Sequence, residues 1–311
     1  MKLKSMTSVI TKSALVLATC ASLNAFAGTS APAKGYVAPQ PEPDGALFDT
    51  LGASVEVGYD TRYYNRGLYR ADNTVSAGIN LSVPLTEQVS LGLGARYIST
   101  VETTAATPGP FGQGDFDFSE LALSTGLNYD AGFATLGLVF NHYEYFDGFS
   151  GTNGGIQAPN SGEFNVSSAQ EVGLTAATSL GPVNVYAGWY YDFRIGGSYA
   201  EVGADLPIEI TSWLSIVPGF RTGYGFDYYT LPQNGSRAGG WTHVIPTISM
   251  PIKLTKSATL TPYVAYNISL DSRHDAAKGS STGLAGAFPT GINANDQDTE
   301  FFGGVRLSVS F

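Results

Sequence analysis

Three histidines, His142, His243 and His274, are the side chains best suited to acid–base or metal chemistry, and they stand far apart in the chain. No two share His-x-x-x-His spacing, and the single cysteine, Cys20, lies near the N-terminus, so a structural metal site is not expected. Hydrolysis by a Ser–His dyad or an Asp–His pair would need His142 or His243 beside the right partner, and serine is too common here for nearness to a hydroxyl to be informative. The run Gly151-Thr152-Asn153-Gly154-Gly155 has no helix pattern after it and does not read as a phosphate cradle. Asp271, Asp275, Asp296 and Asp298 could hold Ca²⁺, but their spacing matches no cation loop. The chain therefore reads as non-enzymatic, with no cofactor.

What remains is a set of charges with a regular address. Glu56, Asp60, Arg62, Arg96, Glu120, Glu171, Asp192, Arg194, Glu201, Asp205, Arg221, Glu300 and Arg306 each fall on one parity of a segment whose other parity is apolar. In the first segment Ala53, Val55, Val57, Tyr59, Thr61 and Tyr63 alternate with Ser54, Glu56, Gly58, Asp60, Arg62 and Tyr64. That period of two marks a β-strand with unlike faces. In the second, Val75, Ala77, Ile79, Leu81 and Val83 oppose Ser76, Gly78, Asn80 and Ser82; in the third, Leu91, Leu93, Ala95 and Tyr97 oppose Ser90, Gly92, Gly94 and Arg96. Further strands are predicted near 119–129, 133–145, 168–180, 183–194, 198–208, 214–228, 241–252, 259–270 and 299–311. The total of about 12 is an even number, which returns both ends to one side of a membrane. Strands five and ten are less clean, since Val139, Tyr143 and Ile245 share the polar parity with Asn141 and His243.

The connections alternate as well. Tight links fall around Thr86-Glu87, Asp130-Ala131-Gly132, Gly181-Pro182, Thr211-Ser212 and Thr255-Lys256. The others are longer, near 65–73, 102–117, 146–166, 229–240 and 271–298, with Gly196-Gly197 the short exception. Short turns on one side and long loops on the other suit a periplasmic and an extracellular face.

The two strand faces separate lipid from soluble surroundings. A soluble sandwich turns a face rich in Lys, Glu and Thr to water, whereas here the polar parity holds Gly, Ser, Asn, Tyr and sparse charges. An unpaired backbone group in hydrocarbon costs several kcal/mol, so strands cross a bilayer only as a closed sheet. Tyr59, Tyr63, Tyr97, Tyr129, Phe133, Trp189, Tyr191, Phe193, Trp213, Tyr224, Tyr228 and Trp241 cluster near strand ends, as interfacial girdles would. The expected fold is all-β: one antiparallel up-and-down transmembrane barrel, residues 51–311, behind a Pro-rich periplasmic linker, 28–50.

Residues 1–27 read as a cleaved signal peptide. Lys2, Lys4 and Lys12 precede an apolar run from Ala14 to Leu23, and Ala25-Phe26-Ala27 supplies small residues before a cleavage point. Taking those three lysines from the 16 basic residues leaves 13 against 26 acids, a formal charge of −13, which argues against a nucleic-acid partner. The alternating end from Phe301 to Phe311 resembles the C-terminal signal that the barrel-assembly machinery recognises, with Phe311 as its terminal aromatic. Tyr63-Tyr64-Asn65-Arg66-Gly67-Leu68, between two alternating strands, is similar to the opening hairpin of the TorF-type porin family, in which a Tyr-x-x-Arg-Gly element caps the first strand pair. The resemblance covers about 35 residues and implies a small Gram-negative outer-membrane channel whose substrate is unassigned.

The charges then read as pore-lining. Arg62, Arg96, Arg194 and Arg221 lie on strands 1, 3, 7 and 9, while Glu120, Glu171, Glu201, Asp205 and Glu300 lie on strands 4, 6, 8 and 12, so opposite signs would meet across strand pairs. Such an array in an open barrel orders water and passes small polar solutes; in a closed one the same groups pair off and fill the lumen. A narrow passive pore is the expectation, with loop 271–298 folded into its mouth. The alternative is a closed structural or surface-binding barrel resembling an adhesin or receptor, and an outer-membrane hydrolase comes third. Expected partners are outer-membrane lipid and lipopolysaccharide, the assembly machinery and small polar solutes.

Overall fold

The computed structural model describes residues 52–101, 104–105, 115–116, 118–147, 168–194, 196–230, 237–270 and 299–311. The signal and linker, the Gly151–Gly155 run, His274, loop 271–298 and its four aspartates lie outside the described residues.

The alternating segments form twelve barrel strands: β1 (Gly52–Asn65), β2 (Leu68–Pro84), β3 (Val89–Thr100), β4 (Ser119–Asp130), β5 (Thr135–Asp147), β6 (Ser168–Leu180), β7 (Val183–Asp192), β8 (Gly197–Asp205), β9 (Leu214–Thr230), β10 (Arg237–Ser249), β11 (Ala258–Ser269) and β12 (Glu300–Ser310). Each pairs antiparallel with the next. β12 closes the ring on β1 with Asp60 opposite Gly304 and Ser54 opposite Ser310. Closure leaves no exposed sheet edge, the condition for backbone to cross hydrocarbon. Short pieces at Ile208–Thr211 and Ile252–Lys253 extend the sheet at one end, and Thr104–Ala105 pairs with Asp115–Phe116 in a small separate ribbon.

Four of the five tight links share one device. The Thr86, Thr211 and Thr255 hydroxyl oxygens each accept backbone N–H groups two and three residues on, at 2.9–3.3 Å. Asp130 accepts Gly132 N–H at 2.8 Å in the same way. These side chains hold the turn backbone without a ladder partner.

The outer surface carries the apolar parity. Val57, Ile79, Leu127, Leu138, Phe140, Leu174, Phe220, Ile248 and Val264 are all exposed, and Leu174 shows 56% of its surface. A continuous collar of bare Leu, Ile, Val and Phe around a closed sheet is a surface for lipid, not water. Tyr59, Tyr97, Tyr129, Phe133, Trp189, Phe193, Trp213 and Trp241 are exposed toward the rims, the placement expected of girdles.

Two corrections concern the first hairpin and its aromatics. The expected loop at 65–73 is instead strand, and β1 joins β2 through the two-residue turn Arg66-Gly67, with φ of 54° and 72°. Positive φ at both positions is the twist-matched hairpin geometry, and arginine at the first of them departs from the usual Asn or Gly. Tyr63 and Tyr228, expected in the girdles, are buried at 1% and 6% exposure inside the barrel. For Tyr228 the cause is irregular register: residues 226–228 oppose the single residue 239, with Asp227 at φ 51°, whereas Tyr63 is still in register with Ala71, just before a shift whose extra residue, Arg70, lies on β2. An irregular stretch of this kind breaks the strict alternation of faces along its strand.

Candidate functional site

All thirteen charges on the polar parity turn away from the collar. Asp60, Glu120, Glu171, Asp192, Asp205 and Arg221 are buried, and Glu56, Arg62, Arg96, Arg194, Glu201, Glu300 and Arg306 are half-buried. Val139, Asn141, Tyr143, His243 and Ile245 are buried with them.

The pairings differ from the simple strand-to-strand exchange. Arg62 does meet Glu300 across β1 and β12, and it also holds Asp72 of β2 at 3.3 Å. Arg306 of β12 serves two acids of β1, donating to both Asp60 oxygens at 2.9 and 3.1 Å and to Glu56 at 3.3 Å. The Tyr263 hydroxyl donates to the same Asp60 carboxylate. Arg96 donates to Ser76 at 3.2 Å, and Arg194 lies 4.0 Å from Asp192 of its own strand end. Glu201 accepts the Tyr199 hydroxyl at 2.9 Å and stands 3.9 Å from His243 Nε2.

The largest departure is at Glu171, whose partner comes from across the lumen. Its carboxylate pairs with Arg66 of the β1–β2 turn, and its other oxygen accepts Asn141 Nδ2 at 2.6 Å and the Tyr143 hydroxyl at 3.0 Å. The Arg66 guanidinium also donates to the Tyr228 hydroxyl at 2.6 Å. It lies 4.9, 5.0 and 5.5 Å from the ring centres of Tyr190, Tyr199 and Tyr228. Those partners stand on β6, β7, β8 and β9, the arc opposite β1 and β2 in the ring order. The hairpin tip therefore bends inward and spans the barrel near the end that carries the long connections.

Neighbours of the tip reach the rest of the wall. Tyr63 donates to Glu120 of β4 at 3.3 Å and packs on Phe118 with rings 5.8 Å apart. Tyr64 packs on Phe302 of β12 at 4.8 Å, in a cluster with Ile245, Tyr263 and Ala265. Gly67 runs so close to His243 of β10 that a Cβ there would overlap the imidazole. The wall is shaped to match: a Cβ at Gly173 or Gly188 would enter the Tyr190 ring, and one at Gly223 the Tyr199 ring. These glycines let tyrosines lie flat along the interior, faces available to a cation.

Arg66 was missed as a site residue because turn residues ordinarily face water. Its signal in the sequence is an arginine standing where a two-residue hairpin prefers Asn, Asp or Gly, within the Tyr-x-x-Arg-Gly element. The histidines separate: His142 lies on the outward parity of β5, 3.0 Å from Gln170 and 3.4 Å from Glu144, while His243 faces inward, 2.8 Å from Thr242. Among the described residues no group of three or more His, Cys, Asp and Glu is placed to hold a metal ion.

Fold and interior together define a transmembrane β-barrel with a charged lumen crossed by the tip of its own first hairpin. No family model matches the chain, and comparison with curated proteins finds no match. Among solved structures it is similar to the translocator domain of the autotransporter NalP from Neisseria meningitidis, with 12% identity, 87% of this chain and 90% of that one covered, and a TM-score of 0.49. It is also similar to an outer membrane channel from Pseudomonas putida F1, at 11% identity, covering 88% and 100%, with a TM-score of 0.44. A third likeness is to the KdgM porin, at 8% identity, covering 83% and 99%, with a TM-score of 0.43.

Proposed function

We propose that this chain is an integral outer-membrane protein of porin type, passing small polar solutes by passive diffusion through its lumen. The observation that carries the reading is the sorting of charge: acids and arginines line the inside of a ring whose outside is bare hydrocarbon side chains. Fixed charges of both signs on its wall create a field that orders water and selects solutes by size and charge. Phe311, exposed at the end of β12, is read as the contact for the assembly machinery, and the collar as the contact for lipid and lipopolysaccharide. The long connections would then be extracellular. Catalysis finds little support, since His142 faces out of the lumen and the His243 ring is enclosed by Thr242, Tyr199 and Gly67.

A second reading, a closed structural or surface-binding barrel, is favoured by the hairpin tip that packs across the interior. Planar-bilayer recording of the refolded protein, intact and with 271–298 deleted, separates the two. Arg66→Ala is recorded beside them, because Arg66 crosses the lumen in both forms; discrete conductance steps from any of the three support the channel, and silence from all three, in protein that is folded and inserted, overturns it. Liposome swelling with sugars, amino acids and organic acids then ranks the solutes.

A further inference from the structure

We propose that the lumen wall formed by β5 to β9 is a guanidinium-binding site, that Arg66 is its internal occupant, and that this occupancy closes the barrel. The closing role rests on the channel reading; the binding site does not. Small soluble guanidinium compounds are the ligand class the wall would take where the Arg66 side chain is removed.

Every recognition element a guanidinium requires is present. A carboxylate, Glu171, is buried and held in place by Asn141 and Tyr143, so it is aimed before any cation arrives. A hydroxyl acceptor, Tyr228, sits at 2.6 Å from one guanidinium nitrogen. Three aromatic rings surround the planar cation within 5.5 Å. A planar fork is matched by carboxylate and ring faces in a way that a compact ammonium is not. Tyr190 and Tyr199 can lie along the wall only because Gly173, Gly188 and Gly223 lack side chains beneath them. These features belong to β5 to β9 and to no part of the hairpin, so the site persists without Arg66.

The occupant stands at the tip of the first hairpin. Arg66 sits at the apex of a two-residue turn with positive φ, and it is tied to the far wall by side-chain contacts. Tethering raises its effective concentration at the site to the millimolar range or above. A free guanidinium compound at low millimolar concentration therefore competes poorly in the intact protein, and readily in a variant without Arg66.

The test uses the full-length barrel, wild type, Arg66→Ala and Arg66→Ala/Glu171→Gln, with methylguanidinium as the probe. Thermal unfolding in detergent is read first, because it requires no conduction. Methylguanidinium at roughly 1 mM is expected to raise the midpoint of Arg66→Ala measurably and to leave wild type and the double variant unmoved. Bilayer recording comes second: Arg66→Ala is expected to conduct several-fold more than wild type, and the probe to bring it back toward the wild-type level. Equal thermal response in all three proteins, or none in Arg66→Ala, overturns the binding site. A conductance of Arg66→Ala equal to that of wild type overturns the closing role and leaves the channel standing. Silence from every protein alongside the expected thermal response overturns the channel and the closing role and supports the site. Tetramethylammonium, a cation without the planar fork, is the control; an equal effect from it also overturns a guanidinium site.

Discussion

A charge moved from lumen to collar should cost an amount set by depth. Leu174 stands at the midpoint of β6 and is 56% exposed, while Leu180 ends the same strand and is 64% exposed. Both turn outward, so neither substitution disturbs the lumen. Six residues at about 3.3 Å each, on a strand tilted by about 40°, separate them by roughly 15 Å along the barrel axis. The half-height of the hydrocarbon band is about 12 Å, which puts Leu174 near its centre and Leu180 at or beyond its edge. Leu174→Arg should therefore destabilise by about 2–4 kcal/mol and Leu180→Arg by about 0–1 kcal/mol. Reversible denaturant unfolding from phospholipid vesicles, followed by tryptophan fluorescence, measures both. Equal costs, or a larger cost at Leu180, would refute the placement of this face in lipid, because an aqueous surface has no depth dependence.

Two further outcomes probe the interior. Among the described residues, Arg306→Ala leaves Asp60, at 1% exposure, with the Tyr263 hydroxyl as its one remaining side-chain partner; unfolding should become easier by about 3–5 kcal/mol, and adding Asp60→Ala should recover part of the loss. Additive losses in that double-mutant cycle would mean the two groups do not interact. Arg96→Glu or Arg221→Glu should move the reversal potential toward cation selectivity in a salt gradient, and an unchanged potential in either variant would remove that residue from the conduction path.

Most of the barrel was legible in the chain because a strand's two faces alternate every residue and a bilayer makes the alternation strict. Glu56, Asp60, Glu171 and Arg221 could be assigned to the interior from parity alone, and Thr86, Thr211 and Thr255 marked turns by their own side-chain chemistry. Parity is a local rule, and it holds only while the backbone stays in register. At Tyr228 the pairing slips, Tyr63 stands one residue before the slip of the first hairpin, and both rings, expected at the rims, turn into the lumen. Nothing in a period of two records where a slip occurs.

The cross-lumen contacts were beyond sequence reading for a different reason. Arg66 meets Glu171 and Tyr228, 105 and 162 residues away. Strand order around a closed ring brings β1–β2 opposite β7–β8, and only an inward bend of the hairpin converts that opposition into contact. The sequence thus determined which residues could line an interior, through hydrophobic alternation along each strand. The tertiary structure decided which of them face one another across it, because closure of the ring and the lean of one turn are properties of the whole sheet and of no single segment.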